Sequence, residues 1–81
     1  MFHVLILSSK PRPHEGVLYE GNVASLILPG ADGEYEILDF HKPIVSRLKK
    51  GLIIADNAKE LSIQGGVAKM DKQSLVAVVD L

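Results

Sequence analysis

The chain has 81 residues, 47% of them hydrophobic, and its 9 Lys+Arg against 10 Asp+Glu leave a net charge of −1. That is the size of one small domain, without the basic surplus that a nucleic-acid binder shows. With no cysteine, a disulfide scaffold, Cys-based zinc sites and thiol catalysis are excluded.

Phe2 to Ser8 is short, apolar and partly β-branched, and predicts a strand with both faces largely covered. Lys10-Pro11-Arg12-Pro13 breaks it, since each proline lacks an N–H and disfavours helix in the residue before it. A second strand is expected over Val17 to Tyr19, closed by Gly21-Asn22, and a third over Val23 to Leu28, ended by Pro29-Gly30. Ala31-Asp32-Gly33-Glu34 reads as a tight hairpin turn, because Asp-Gly readily takes positive φ. Tyr35 to Leu38 resumes extended structure, with Tyr35 and Ile37 opposite Glu36 and Leu38. His41-Lys42-Pro43 is a further break. Ile44 and Leu48 have helical spacing, but the stretch is confined between Pro43 and Gly51, so a strand is preferred.

Leu52 to Ala55, Asp56-Asn57-Ala58 and Glu60 to Gln64 predict a hairpin, with Leu61 and Ile63 alternating against Ser62 and Gln64. Gly65-Gly66 is expected to turn the chain or to allow a strand to pass sharply between sheets. Val67 to Met70 and Ser74 to Asp80 predict a last hairpin around Asp71-Lys72-Gln73. Punctuation every eight to twelve residues, without sustained 3.6-residue periodicity, predicts an all-β fold: a two-sheet β-sandwich or flattened barrel of short antiparallel strands, as one domain over residues 1–81. The longest strictly apolar run, Leu75 to Val79, is too short to span a bilayer, and Met1-Phe2-His3 lacks the charged start of a signal peptide.

Few side chains suggest chemistry. Asp32, Glu34 and Glu36 alternate onto one face, but calcium takes six to eight oxygens and no full loop signature is present. His3, His14 and His41 match no zinc spacing. Gly65-Gly66 is no phosphate cradle, since no helix follows it. Lys49-Lys50 reads as a solvated pair that could also face acidic headgroups. Nothing local organises a Ser, a His and an Asp for nucleophilic catalysis. The expectation is therefore no catalytic residue, no cofactor and no metal.

In order along the chain, Tyr19-Glu20-Gly21-Asn22-Val23, Leu28-Pro29-Gly30-Ala31-Asp32-Gly33-Glu34, His41-Lys42-Pro43, Leu48-Lys49-Lys50-Gly51, Ser62-Ile63-Gln64-Gly65-Gly66-Val67 and Val76-Ala77-Val78-Val79-Asp80 resemble the N-terminal domain of the ε subunit of F-type ATP synthases. Each motif is weak alone; their order and spacing are specific. The departures are Asp39-Phe40 in place of the family's Pro-Gly, Lys50 in place of a proline, extra residues at Lys10 to Pro13, and a short hairpin at Asp56 to Lys59. The helical hairpin that usually follows this domain in the family does not occur in the 81 residues.

The resemblance implies a non-catalytic, peripheral rotor component on the cytoplasmic face of the cell membrane, bridging the γ subunit and the ring of c subunits, with no membrane insertion and no homo-oligomer required. It implies c-ring contact at Gly33 and Glu34 with His41 close by, and Ser8 and Ser46 on the side facing γ. If the chain ends at Leu81, it further implies no inhibition of ATP hydrolysis and no nucleotide binding by this subunit, properties of the family's C-terminal helices. Two alternatives stay open at this point: a free-standing β-sandwich adaptor, motivated by Asp39-Phe40 and the Lys10 to Pro13 segment, and a small metal- or ligand-binding enzyme.

Overall fold

A computed structural model describes residues 1–10, 16–39 and 42–81. It contains seven strands: β1 (Phe2–Ser8), β2 (Val17–Val23), β3 (Ser25–Gly30), β4 (Gly33–Leu38), β5 (Ile44–Ala55), β6 (Lys59–Asp71) and β7 (Ser74–Asp80). They hydrogen-bond in the order β2-β1-β7-β6-β5-β3-β4. All neighbours are antiparallel except β1 and β7, which pair in parallel from His3–Ser74 to Ser8–Val79.

The continuous ladder makes two layers because β5 and β6 are long enough to belong to both. Residues 44–49 of β5 face 65–70 of β6, and β6 there carries β7, β1 and β2 on its other side. The distal half, 51–55 against 59–63, meets β3 and through it β4. The bend between the halves is written in burial. In β5 the inward positions are Ile44, Ser46 and Leu48 before the bend, and Gly51, Ile53 and Ala55 after it. In β6 they pass from Leu61 and Ile63 to Gly66, Ala68 and Met70. Paired residues share a face, so both strands must change parity at one place, and they do, at Lys49-Lys50 against Gln64-Gly65. The ladder skips Lys50; a proline, expected here from the family pattern, would therefore remove no ladder bond.

Gly66 sits where β6 crosses close over β7. A Cβ there would stand 2.9 Å from Val79 Cα and closer still to the Val78 carbonyl oxygen. The expectation that Gly65-Gly66 turns the chain is therefore corrected. The strand runs on, and the glycines permit the passage between layers that was the other reading.

Sixteen apolar side chains from β1 to β7 form one core, with Val4, Val23, Leu26, Leu28, Ile37, Ile63, Ala68, Leu75, Ala77 and Val79 at 0% exposure. The molecule measures 33 × 25 × 23 Å between its outermost Cα atoms, too thick for one layer, and exposes 5108 Å². Surface scaling predicts about 4,800 Å² for a chain of this mass.

Several strand limits move. β2 continues through Gly21-Asn22 to Val23, because these residues stay paired with Val4, His3 and Phe2 of β1. β3 begins at Ser25 and continues through Pro29 and Gly30. Pro29 is tolerated because it falls in the irregular part of the β3–β5 ladder, where its missing N–H costs no bond. Ile44 to Leu48 is extended, as preferred, and continues to Ala55. Lys10 enters a bend, whereas Pro11, Arg12, Pro13, His14, Phe40 and His41 lie outside the described residues.

The turn between β2 and β3 carries little turn chemistry of its own and is held from elsewhere. Asp56 and Asn57 take positive φ at the β5–β6 hairpin tip, a conformation these two residue types tolerate. Asp56 Oδ1 accepts hydrogen bonds from Ala24 N–H (2.7 Å) and Ser25 N–H (3.1 Å), while Asp56 N–H donates to the Ser25 carbonyl (3.0 Å).

Candidate partner-binding surfaces

The β3–β4 hairpin presents the acidic tip. Its two-residue loop is Ala31-Asp32, between the paired Gly30 and Gly33. The positive φ falls on Gly33 (136°), with open space around it. Position 30 has no room for a Cβ, which would stand 2.6 Å from the Gly33 carbonyl oxygen and 2.7 and 2.9 Å from ring atoms of Tyr35. Ala31 N–H donates to the Arg47 carbonyl (2.9 Å), which pins the tip against β5. Glu34 and Glu36 project outward and exposed, while Tyr35 and Ile37 turn in, as expected.

Between this tip and β5 is an open concavity of about 270 Å³, lined in part by Asp32, Gly33, Tyr35, Ser46 and Arg47. The structure thus brings Gly33 and Ser46 to one place. Ser46 is half-buried on the inward parity of β5, with a weak contact from Oγ to the Arg47 carbonyl (3.4 Å). Ser8 is elsewhere, at the end of β1, half-buried, where its Oγ accepts from Lys10 N–H (3.2 Å). Beside it the Ser9 hydroxyl donates to Asp80. His41 lies outside the described residues. Among the described residues no group of three or more His, Asp or Glu side chains is placed to hold a metal.

A larger feature went unread in the sequence. The outward positions of β5, β6, β7, β1 and β2 align in two cross-strand rows. One runs Arg47, Val67, Val78, Leu7, Val17; the other runs Val45, Lys69, Val76, Leu5, Glu20. Val45, Val67, Val76 and Val78 are 74, 49, 39 and 41% exposed. At about 4.8 Å per strand, the rows extend for roughly 19 Å, about 7 Å apart. Apolar side chains gathered on one sheet face in this way make it a candidate interaction surface. The readable signal was apolar residues at both parities, in Val76-Ala77-Val78-Val79 and Val4-Leu5-Ile6-Leu7. The expectation that both faces of the first strand are covered holds for its inner face; on the outer one Leu5 and Leu7 are only half-buried, and no other strand packs over them among the described residues.

Comparison with known proteins agrees with this geometry. Residues 12–80 match the family model for the ATP synthase delta/epsilon chain beta-sandwich domain. An ATP synthase epsilon chain of Campylobacter jejuni is 39% identical over 64 residues, covering 74% of this chain and 50% of that protein. One from Leptospira interrogans is 36% identical over 69 residues, covering 82% and 54%. The chain therefore spans about half the length of the curated relatives it matches. A chain in the central stalk/c-ring structure of the Tetrahymena thermophila mitochondrial ATP synthase superposes with a TM-score of 0.75 at 10% identity, covering 98% of this chain and 63% of that one, which shows the shared fold. With its family-model match running from residue 12 to residue 80, the chain belongs to the ATP synthase delta/epsilon beta-sandwich family.

Proposed function

We propose that this chain works as a non-catalytic central-stalk component of an F-type ATP synthase, bridging the γ subunit and the c-ring and so coupling ion translocation to ATP synthesis or hydrolysis. The observation that carries the reading is the apolar outer face of β2-β1-β7-β6-β5, a surface suited to a permanent protein partner. In this reading γ covers that face; Ser8 and Ser46, assigned to the γ side by the family pattern alone, lie on the inward parity of β1 and β5 beside it. The rigid tip with Gly33 and Glu34, together with His41, meets the polar loops of the c-ring. The chain sits peripherally on the cytoplasmic face of the membrane.

The mechanics follow from stiffness and division of labour. A rotor component transmits torque only if it deforms little. Here both layers are joined through two continuous strands, and the acidic tip is tied to β5 by a backbone hydrogen bond. Exposed carboxylates contribute only about 0–1 kcal/mol per pair, so apolar contact with γ supplies most of the affinity and the tip supplies position. Native purification of a tagged full-length chain from its own cells tests the assignment. Recovery of γ and the c-ring in constant ratio is expected. A chain that never retains γ would return the reading to a free-standing adaptor.

A further inference from the structure

The apolar band is not symmetric in charge, and the asymmetry restricts what can lie on it. Its β5–β6 end carries Arg47 in one row and Lys69 in the other. Its β2 end carries Glu20, which already has a hydrogen-bond partner, since His3 Nε2 lies 3.1 Å from Glu20 Oε2. The side chains of Arg47 and Lys69 have none among the described residues. Arg47 shares a concavity with Asp32, and Lys69 shares its face of β6 with Asp71, yet no ion pair joins either couple. Flanking the rows, Lys49 lies opposite Gly65, whose other neighbour is Asp80, and Asp71 lies opposite Ser74, with His3 and Asn22 beyond it.

A partner that covers the valines brings its own surface against Arg47 and Lys69. Covering a charge without an opposite charge costs more than the apolar contact beside it returns. We infer that the partner element seated on this face carries carboxylates at the end lying over β5 and β6, needs no cation over Glu20, and is oriented across the strands by that difference. This rests on the reading of γ as the occupant. A lone apolar stripe would bind in either direction; Arg47 and Lys69 make one direction attractive and the other unpaired.

The test measures association of the full-length chain with the γ subunit of the same enzyme at two salt concentrations, for the wild type, Val78→Asp, Glu20→Lys and Arg47→Glu/Lys69→Glu. All four positions are exposed, and circular dichroism verifies that each variant is folded. The double reversal is expected to weaken binding by roughly tenfold or more, mainly through slower association, and to invert the salt dependence. Glu20→Lys is expected to change affinity less than about threefold. Val78→Asp is expected to abolish binding. If the double reversal binds with wild-type affinity and salt slope while Val78→Asp fails, the polarity is wrong and the stalk reading stands. If the wild type does not bind γ, the stalk reading falls and this inference with it. A dimer of the isolated chain that Val78→Asp dissociates would replace γ by a second copy, whose two-fold stacking would set Arg47 and Lys69 against Glu20.

Discussion

The two faces of β7 hold nearly the same residues and do opposite things. Leu75, Ala77 and Val79 point inward and are at 0% exposure; Val76 and Val78, between them, remain about 40% exposed. The outer face of the other layer shows that folding does not require this. There Ile27 and Ile54 pair between Glu36 and Glu60, and Leu52 faces Ser62. That surface has the usual mixture of a solvated sheet. The inner rows thus account for the fold, and the valine-rich outer row of the first layer is left for the association proposed above.

The comparison predicts the largest stability effect for an inner residue and a small one for its outer neighbour. Leu75→Ala should cost about 2–5 kcal/mol, since nothing nearby can fill the space. Val76→Ala should cost under about 1 kcal/mol in the isolated chain while weakening association with γ. Denaturant titration of both, paired with γ binding, checks this. Equal losses of stability would mean that the outer row is structural after all.

The corner that separates the layers offers a sharper contrast. A methyl at position 66 meets the backbone of β7, whereas one at position 65 has its first neighbour, the Leu48 carbonyl oxygen, at 3.6 Å. Gly66→Ala should therefore cost at least about 2–3 kcal/mol, and Gly65→Ala about 1 kcal/mol or less. Thermal midpoints of the two variants are the measurement. Similar midpoints would mean that β6 has room to move away from β7.

Next comes the hairpin tip that holds the β2–β3 turn. Asp56→Ala leaves two N–H groups without their acceptor and places alanine at φ 52°, for an expected loss of about 1–2 kcal/mol. Asp56→Asn keeps an acceptor oxygen and tolerance of that φ, and should lose about half as much. Chemical denaturation of the pair separates the two contributions.

These positions also show what was legible in the sequence. The all-β class, the Asp32-Gly33 and Lys72-Gln73 hairpins and the alternation of Tyr35 and Ile37 against Glu34 and Glu36 are set by residues close in sequence, and could be read there. The β2–β3 turn could not, because its acceptor is Asp56, more than thirty residues away. Pro29-Gly30 and Gly65-Gly66 looked like ends of strands because their local chemistry is that of turns. Their roles depend on strands that cross them. The acidic tip was readable as a tight turn bearing carboxylates, and its family role came from resemblance. The outer apolar band was visible only as an excess of valine, since which parity faces inward is fixed by the pairing of five strands.

The smallest expected effect on the fold is at Glu34. Its side chain is exposed on the outward face of β4, has no hydrogen bond or ion pair among the described residues, and lies beyond the Gly33 turn that fixes the tip. Glu34→Ala should leave the unfolding midpoint and γ binding at their wild-type values. If the tip contacts the c-ring, however, the same substitution removes the carboxylate placed to engage its polar loops. ATP hydrolysis by the assembled enzyme should then pump fewer ions per ATP consumed. Measuring ion pumping and hydrolysis together in membrane vesicles tests this. A coupling ratio unchanged by Glu34→Ala would make Glu34 an ordinary solvated turn residue and leave the apolar face alone to carry the functional assignment.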